Sequence, residues 1–374
     1  MIKNHAVLAT LLGALCATAT AQAGKLHPGY QAPAEWDIHT GPTHDALARA
    51  QAAGTLQTLP SWTQGFTIQG QNYSYTLLGS DPAAGAATTV IPTVLIPIRL
   101  TVSDYIVNGQ PLVLDATRQM PDIVNSPIFT PAKFSTGTLQ FADAMLHAEF
   151  PTAPKNWHLT FSPSVAPTID VTSPAGAVSV SQSKSGQYLG VINDGSFMNP
   201  VFNEVLKKTA SPNTYYVFVT YNSLFAQAFG FHSDYVNKAG TSAIVWAYNS
   251  WLVGVNDLFT LPSPNADTFA HETAETVHDA LGLSLTLKWG DWFGNNVCFQ
   301  RYIETGDAVE DAPAKVQNYH QPVTINGRQK IYTLQTEALL PWFERQYPST
   351  AIKGTYSFPG ATALLGPAPF TCTK

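Results

Sequence analysis

The stretch FAHETAETVHDAL, residues 269–281, holds the side chains best suited to chemistry: His271, Glu272 and Glu275, in the order His-Glu-x-x-Glu. On a helix, positions i and i+4 lie one above the other, so His271 and Glu275 can grip one cation from the same face. Metalloproteases do this for zinc with His-Glu-x-x-His, the glutamate acting as general base. Here a carboxylate stands in place of the second histidine. With His271 at 0°, Glu275 falls near about 40° and Glu272 near about 100°, while Ala270, Ala274, Val277 and Leu281 gather between roughly −120° and −60°. The apolar stripe and the His/Glu stripe are therefore adjacent but separate, and Glu272 is placed to take a proton from water. The competing reading is a solvated helix face without function. Glutamate is scarce in this chain, and its clustering between 272 and 310 speaks for a site.

A tetrahedral metal site needs a third protein ligand. The next acidic cluster is CFQRYIETGDAVED, 298–311. Glu304 is the expected third ligand. Asp307 either fixes the His271 ring as a hydrogen-bond acceptor or is itself the ligand. The competing reading for both is an acidic surface turn. His278 lies seven residues beyond His271, roughly 10 Å along the axis, too far to share an ion; it is expected to favour the helix C-terminus. His232, in FGFHSDY, is either a buried structural histidine or a donor to a substrate oxygen. His147 and His158 show no ligand spacing. Trp289 and Trp292 line a cleft or fill the core.

The elements that must position these residues read as follows. A short helix is expected near 43–53. TTVIPTVLIPIRLTV, 88–102, is a strand whose Pro92 and Pro97 suit an edge or a bulge. A helix is predicted over 139–150, short strands at 157–163, 176–182 and 187–193, and a helix over 197–208. YYVFVTYN, 215–222, and SAIVWAYN, 242–249, read as buried strands. The motif helix spans 266–281 with Gly282 as its stop, and a last helix is expected at about 333–345. This order suits an α+β fold: a zincin-like mixed β-sheet with packed helices, in one main domain over 86–374 after an N-terminal extension, 24–85.

Export is expected from the N-terminus. Lys3 precedes a short apolar run, residues 6–19, and Ala21-Gln22-Ala23 gives a small-x-small cleavage pattern, making 1–23 a signal peptide. Leu15 before Cys16 is too large for a lipoprotein signal. The mature chain then keeps Cys298 and Cys372, which an oxidising compartment would join as a disulfide, contributing about 4 kcal/mol by chain entropy. The 374 residues carry a formal net charge of −6 and only 12% charged residues. That balance excludes a nucleic-acid surface, which needs clustered Lys and Arg. No later segment is long and apolar enough for a membrane span.

These motifs together resemble a group of uncharacterised secreted bacterial zincin-like proteins. AHETAE, 270–275, is similar to that group's S-H-E-x-A-E helix, and CFQRYIETGDAVE, 298–310, to its C-x-x-x-x-E-x-G-D-x-V-E segment, with a longer interval between Cys298 and Glu304 here. YTLQTEALLPWFERQYP, 332–348, matches its tail; IPIRLT, QFADAMLHAEF and GFHS extend the likeness upstream. GFHS and the strand after it also resemble, more distantly, the exordium-like (phosphate-induced) secreted proteins of plants, some of which lack the His-Glu pair. The resemblance implies a metal centre and leaves the substrate open.

Two functions follow. One is a secreted zinc peptidase-like hydrolase acting on a peptide or protein, with His271, Glu275 and Glu304 holding Zn²⁺ and Glu272 as general base. Oxygen-rich ligation also admits other divalent ions. The other is a non-catalytic secreted binding or cell-surface protein with a structural metal. A glycosidase is disfavoured because Glu272 and Glu275 share one helix rather than flanking a cleft. Ser-His-Asp hydrolysis lacks its G-x-S-x-G motif.

Overall fold

The computed structural model describes residues 42–225, 228–259, 264–289, 300–309, 318–325 and 327–368. The expected signal peptide, Cys298, Cys372 and Trp292 lie outside the described residues. The elements that position the site are α1 (Pro42–Ala52), β1 (Ser61–Ile68), β2 (Gln71–Leu78), β3 (Thr88–Val107), β4 (Gln110–Asp115), α2 (Phe141–Glu149), β5 (His158–Val165), β6 (Ile169–Ser173), α3 (Asn199–Lys208), β7 (Tyr215–Tyr221), β8 (Gly230–Val236), β9 (Ala243–Trp251), α4 (Asp267–Asp279), β10 (Asn318–Ile325) and β11 (Arg328–Gln335). The fold is α+β, built on a seven-stranded mixed sheet in the order β8-β9-β7-β3-β4, with β5 and β6 also pairing β3.

Alternation along the central strands explains the layers. Tyr215, Val217 and Val219 of β7 and Ala243, Val245 and Ala247 of β9 join one core with Phe269, Ala270, Ala274 and Val277 of α4. Tyr216, Phe218, Ile244, Trp246 and Tyr248 face the other way, into a core with Phe202 and Leu206 of α3. Both faces of the sheet are covered, so these strands read as continuous apolar runs. The small Ala243 and Ala247 let α4 approach closely.

β3 is central, not an edge. Its prolines are tolerated because each sits where one flank of the strand is free of a ladder. Pro92 faces Ser162 of β5, but pairing with β7 begins only at Thr93. Pro97 falls in the gap between the β5 partner, which ends at Leu95, and the β6 partner, which begins at Ile98. No ladder donor is lost at those two points.

The segment expected as a final helix differs most. Residues 328–335 form β11 in a hairpin with β10, Glu337–Ala338 forms a short bridge, and only Leu340–Phe343 is helical. Pro341 suits the first turn of a helix and not its middle, so no helix runs through it from 333. The stretch placed in an extension, 24–85, belongs to the main core from residue 42 onward: Leu47, Leu59, Tyr75 and Leu77 are buried in it. Thr76 N–H donates to Ser284 Oγ at 2.9 Å, tying the β1–β2 hairpin to the end of α4. Among the described residues, no helix is long and apolar enough to cross a membrane.

His278 does not face solvent at a helix end. It is fully buried, its Nδ1 bonds Ala274 O at 2.7 Å and its Nε2 lies 3.0 Å from both Glu149 carboxylate oxygens. Glu149 Oε1 also accepts Leu340 N–H at 3.0 Å, so the pair joins α2, α4 and the tail. Burial alone would lower the His278 pKa, but the Glu149 charge outweighs it and raises it. The pair's stabilisation is therefore full below the unfolded value of about 6.5 and is lost as pH rises through the raised folded value. His278→Ala is expected to destabilise the fold by about 3–5 kcal/mol at neutral or lower pH, because it strands a buried carboxylate. Urea unfolding measures this; a change within ~0.5 kcal/mol, the range of ordinary surface substitutions, contradicts it.

Candidate metal centre

Every residue of α4 is buried. The helix has no solvated face, so the His/Glu stripe lies inside the protein. The apolar stripe packs on the sheet, and the stripe beside it faces β8, β11 and residues 303–309. His271 is set from two sides. Its Nδ1–H donates to Gln335 Oε1 at 2.9 Å. Gln335 Nε2 donates to Gly306 O at 2.8 Å, which orients the amide and so fixes the imidazole tautomer. The other nitrogen, Nε2, is left as the acceptor atom. It lies 3.1 Å from Glu275 Oε2, 3.7 Å from Asp307 Oδ1 and 3.9 Å from Glu272 Oε1. A lone pair facing carboxylate oxygens is repulsive unless a proton or a cation stands between them.

Glu275 has two separate tasks. Its Oε1 accepts the backbone N–H groups of Gly306 and Asp307, both at 3.1 Å, clamping the 303–309 segment onto the helix. Its Oε2 makes no hydrogen bond and points into the cluster. Ile303 N–H to Ser284 O and Ala338 N–H to Thr305 O hold the same segment from either side. That arrangement brings Asp307 to the acceptor side of His271, while Gln335 holds the ring. Of the two roles open for Asp307, its position fits that of a ligand.

Glu304 sits elsewhere in the cluster. Its Oε2 lies 3.7 Å from His232 Nε2, and His232 Nδ1 lies 3.4 Å from Glu272 Oε2 and 3.5 Å from Glu275 Oε2. His232 is carried in by β8, in register with Ala247 of β9. Both its ring nitrogens face carboxylates, which leaves neither directed at a substrate cleft. Within this cluster, two sets of side chains have ligand atoms close enough to share an ion: His271, Glu272 and Glu275, and His232, Glu275 and Glu304.

Two glycines make room for these side chains. A Cβ on Gly306 would lie 2.4 Å from His271 Nδ1, and one on Gly230 would lie 2.8 Å from Glu272 Oε1. Both belong to motifs already singled out, ETGD and GFHS.

Electrostatics show how unusual the site is without a cation. Burial pushes Glu304 and Asp307 well above the ordinary carboxylate range, and the Glu275 charge pushes them further. Glu272 is also raised by burial. Burial would raise Glu275 too, but the neighbouring His271 and His232 rings, when protonated, hold it at about 2. Burial opposes the charge of His232, yet Glu304 with Glu272 and Glu275 raises its pKa well above an ordinary imidazole. Oxygens of Glu272, Glu275, Glu304 and Asp307 are buried without hydrogen-bond partners. Buried polar groups are normally satisfied, so this donor set fits a divalent cation.

Sequence reasoning missed Gln335 and Glu337. They are two apart at the end of the β10–β11 hairpin, and both are buried. Burial raises Glu337, with the nearby His271 charge acting against that. The alternation in YTLQTE was the available signal, since i and i+2 share a strand face. Asp143, His147 and His158 also meet, although their spacing gave no hint of it. There Asp143 bonds His158 Nδ1 at 2.9 Å and Leu159 N–H at 3.1 Å, and His147 bonds Trp157 O at 2.8 Å, so that group is satisfied by the protein itself. Trp289 is core: its indole N–H donates to Tyr302 O at 2.8 Å.

No family model, no curated protein and no solved structure matches the chain.

Gln335→Leu is expected to free the His271 ring and weaken zinc binding by about 10- to 100-fold, the usual cost of losing such a support. Competition with a chromophoric chelator reads this directly. Gly306→Ala should act in the same direction by displacing the ring. Unchanged affinity in both variants contradicts the assignment of His271 as a ligand.

Proposed function

We propose that this chain is a secreted, zinc-dependent hydrolase of peptidase type, zincin-like in its motif helix. The observation that carries the proposal is the set of unpartnered, buried carboxylate oxygens of Glu272, Glu275, Glu304 and Asp307 gathered around His271 and His232. His271 and Glu275, with Glu304 and Asp307, would hold the ion. A bound zinc ion supplies Lewis acidity toward water and toward a substrate carbonyl. Glu272 is not needed to clamp the backbone, and burial raises its pKa. A raised carboxylate is suited to accept the proton that water gives up as its oxygen attacks the carbonyl, and to return it to the departing amine. Gln335 keeps the His271 acceptor nitrogen aimed inward, and Gly306 and Gly230 allow the close packing that fixes both side chains.

The depth of the site favours one other reading, a secreted binding protein whose metal only stabilises the fold. All the donor residues are buried, and a closed shell is the mark of structural metal sites. Glu272→Gln separates the two. In a hydrolase it should keep its metal and lose peptide-bond cleavage by about 10²- to 10⁴-fold, the share general-base catalysis carries. His271→Ala should lose the metal. A metal-loaded wild-type protein that cleaves no peptide in a broad substrate library would favour the structural reading. Full metal content in His271→Ala would overturn the site.

A further inference from the structure

The donor set exceeds what one cation needs. Glu275 Oε2 lies between two imidazoles, 3.1 Å from His271 Nε2 and 3.5 Å from His232 Nδ1. Glu272 divides in the same way, with Oε1 3.9 Å from His271 Nε2 and Oε2 3.4 Å from His232 Nδ1. Beyond them, Asp307 lies on the His271 side and Glu304 on the His232 side, each 3.7 Å from the nearer ring nitrogen. Ligand atoms held about 2.1 Å from a tetrahedral ion stand about 3.4 Å from one another. The separations on both sides of Glu275 fall around that value.

Charge gives the same count. Four carboxylates and two neutral imidazoles carry four formal negative charges. One divalent ion leaves two of them to be neutralised by protons or by a second ion. Two divalent ions balance them. His232 is 9% exposed and Glu304 2%, and neither His232 Nε2 nor Glu304 Oε2 has a hydrogen-bond partner.

We propose a second divalent-cation position, formed by His232, Glu275 and Glu304, beside the one at His271, Glu275 and Asp307, with Glu275 common to both and Glu304 assigned to the second ion. The proposal rests on the metal-centre reading above and makes the centre dinuclear. Carboxylate-rich pairs of this kind suit Zn²⁺ or Mn²⁺, and paired ions about 3.5–4 Å apart are a recurrent hydrolytic arrangement.

The test loads the full chain with excess ZnCl₂, removes free metal and measures zinc per chain by elemental mass spectrometry. About two zinc ions are expected for the wild type and about one for Glu304→Gln. One zinc in the wild type overturns the second position and leaves the hydrolase reading standing. No zinc overturns both. Two zinc ions in Glu304→Gln overturn the assignment of that ligand. Because the variant can fail to fold, the wild type is also loaded with Mn²⁺ and examined by electron paramagnetic resonance. An exchange-coupled spectrum is expected, and isolated single-ion signals contradict the shared Glu275.

Discussion

A carboxylate taken out of water needs a counter-charge, and this protein places four of them against two imidazoles inside its core. The cost of leaving such charges uncompensated is several kcal/mol each, comparable in sum to the whole net stability of a folded domain. Among the described residues, the lysine and arginine ion pairs at Arg99, Lys208 and Lys330 involve none of these carboxylates. Compensation must therefore come from protons or from bound cations. That requirement, more than the helix motif by itself, is what supports the proposed metal centre.

The neighbouring architecture follows from holding that cluster rigid. Glu275 spends one oxygen on the backbone of Gly306 and Asp307 and keeps the other for the cluster. The Gly306 carbonyl orients Gln335, and Gln335 orients His271. Three separate stretches of chain, the motif helix, the 303–309 segment and the β10–β11 hairpin, are thus locked through one small circuit of hydrogen bonds. Gly230 and Gly306 sit where any side chain would collide with Glu272 or His271. The sheet contributes His232 from β8, and the sheet's small alanines admit the helix. One turn further along α4, the His278–Glu149 pair anchors the same helix to α2 and the tail.

Much of this was legible in the sequence. The motif helix, its apolar stripe and its Gly282 stop stood out by periodicity; Gly282 does take a positive φ of 62°. His271, Glu272, Glu275, Glu304 and Asp307 all reach the cluster, because helix spacing and a short acidic segment are local signals. Partners supplied across long sequence intervals were harder to see. His232 looked like an ordinary buried histidine until β8 placed it opposite the motif. Gln335 and Glu337 were hidden within a stretch whose apolar spacing mimics a helix, although pairing with β10 makes it a strand. The two prolines of β3 suggested an edge, since nothing in the sequence reveals that its flanking strands change partners at those residues. The proposed disulfide between Cys298 and Cys372 falls outside the described residues, and the 303–309 segment is held by Glu275 without reference to it.

The most direct test compares thermal unfolding of the zinc-loaded protein with that of the chelator-stripped protein under the same buffer and pH. A ligand that binds only the folded state at one hundred times its Kd stabilises it by about 2.7 kcal/mol. For a chain of this size, with an unfolding entropy of about 2.1 cal/mol/K per residue, that corresponds to a rise in Tm of about 3–4 °C. The expected result is a clearly higher Tm with zinc, abolished by Glu275→Ala. Identical melting of loaded and stripped protein would contradict the claim that these buried carboxylates exist to hold a cation.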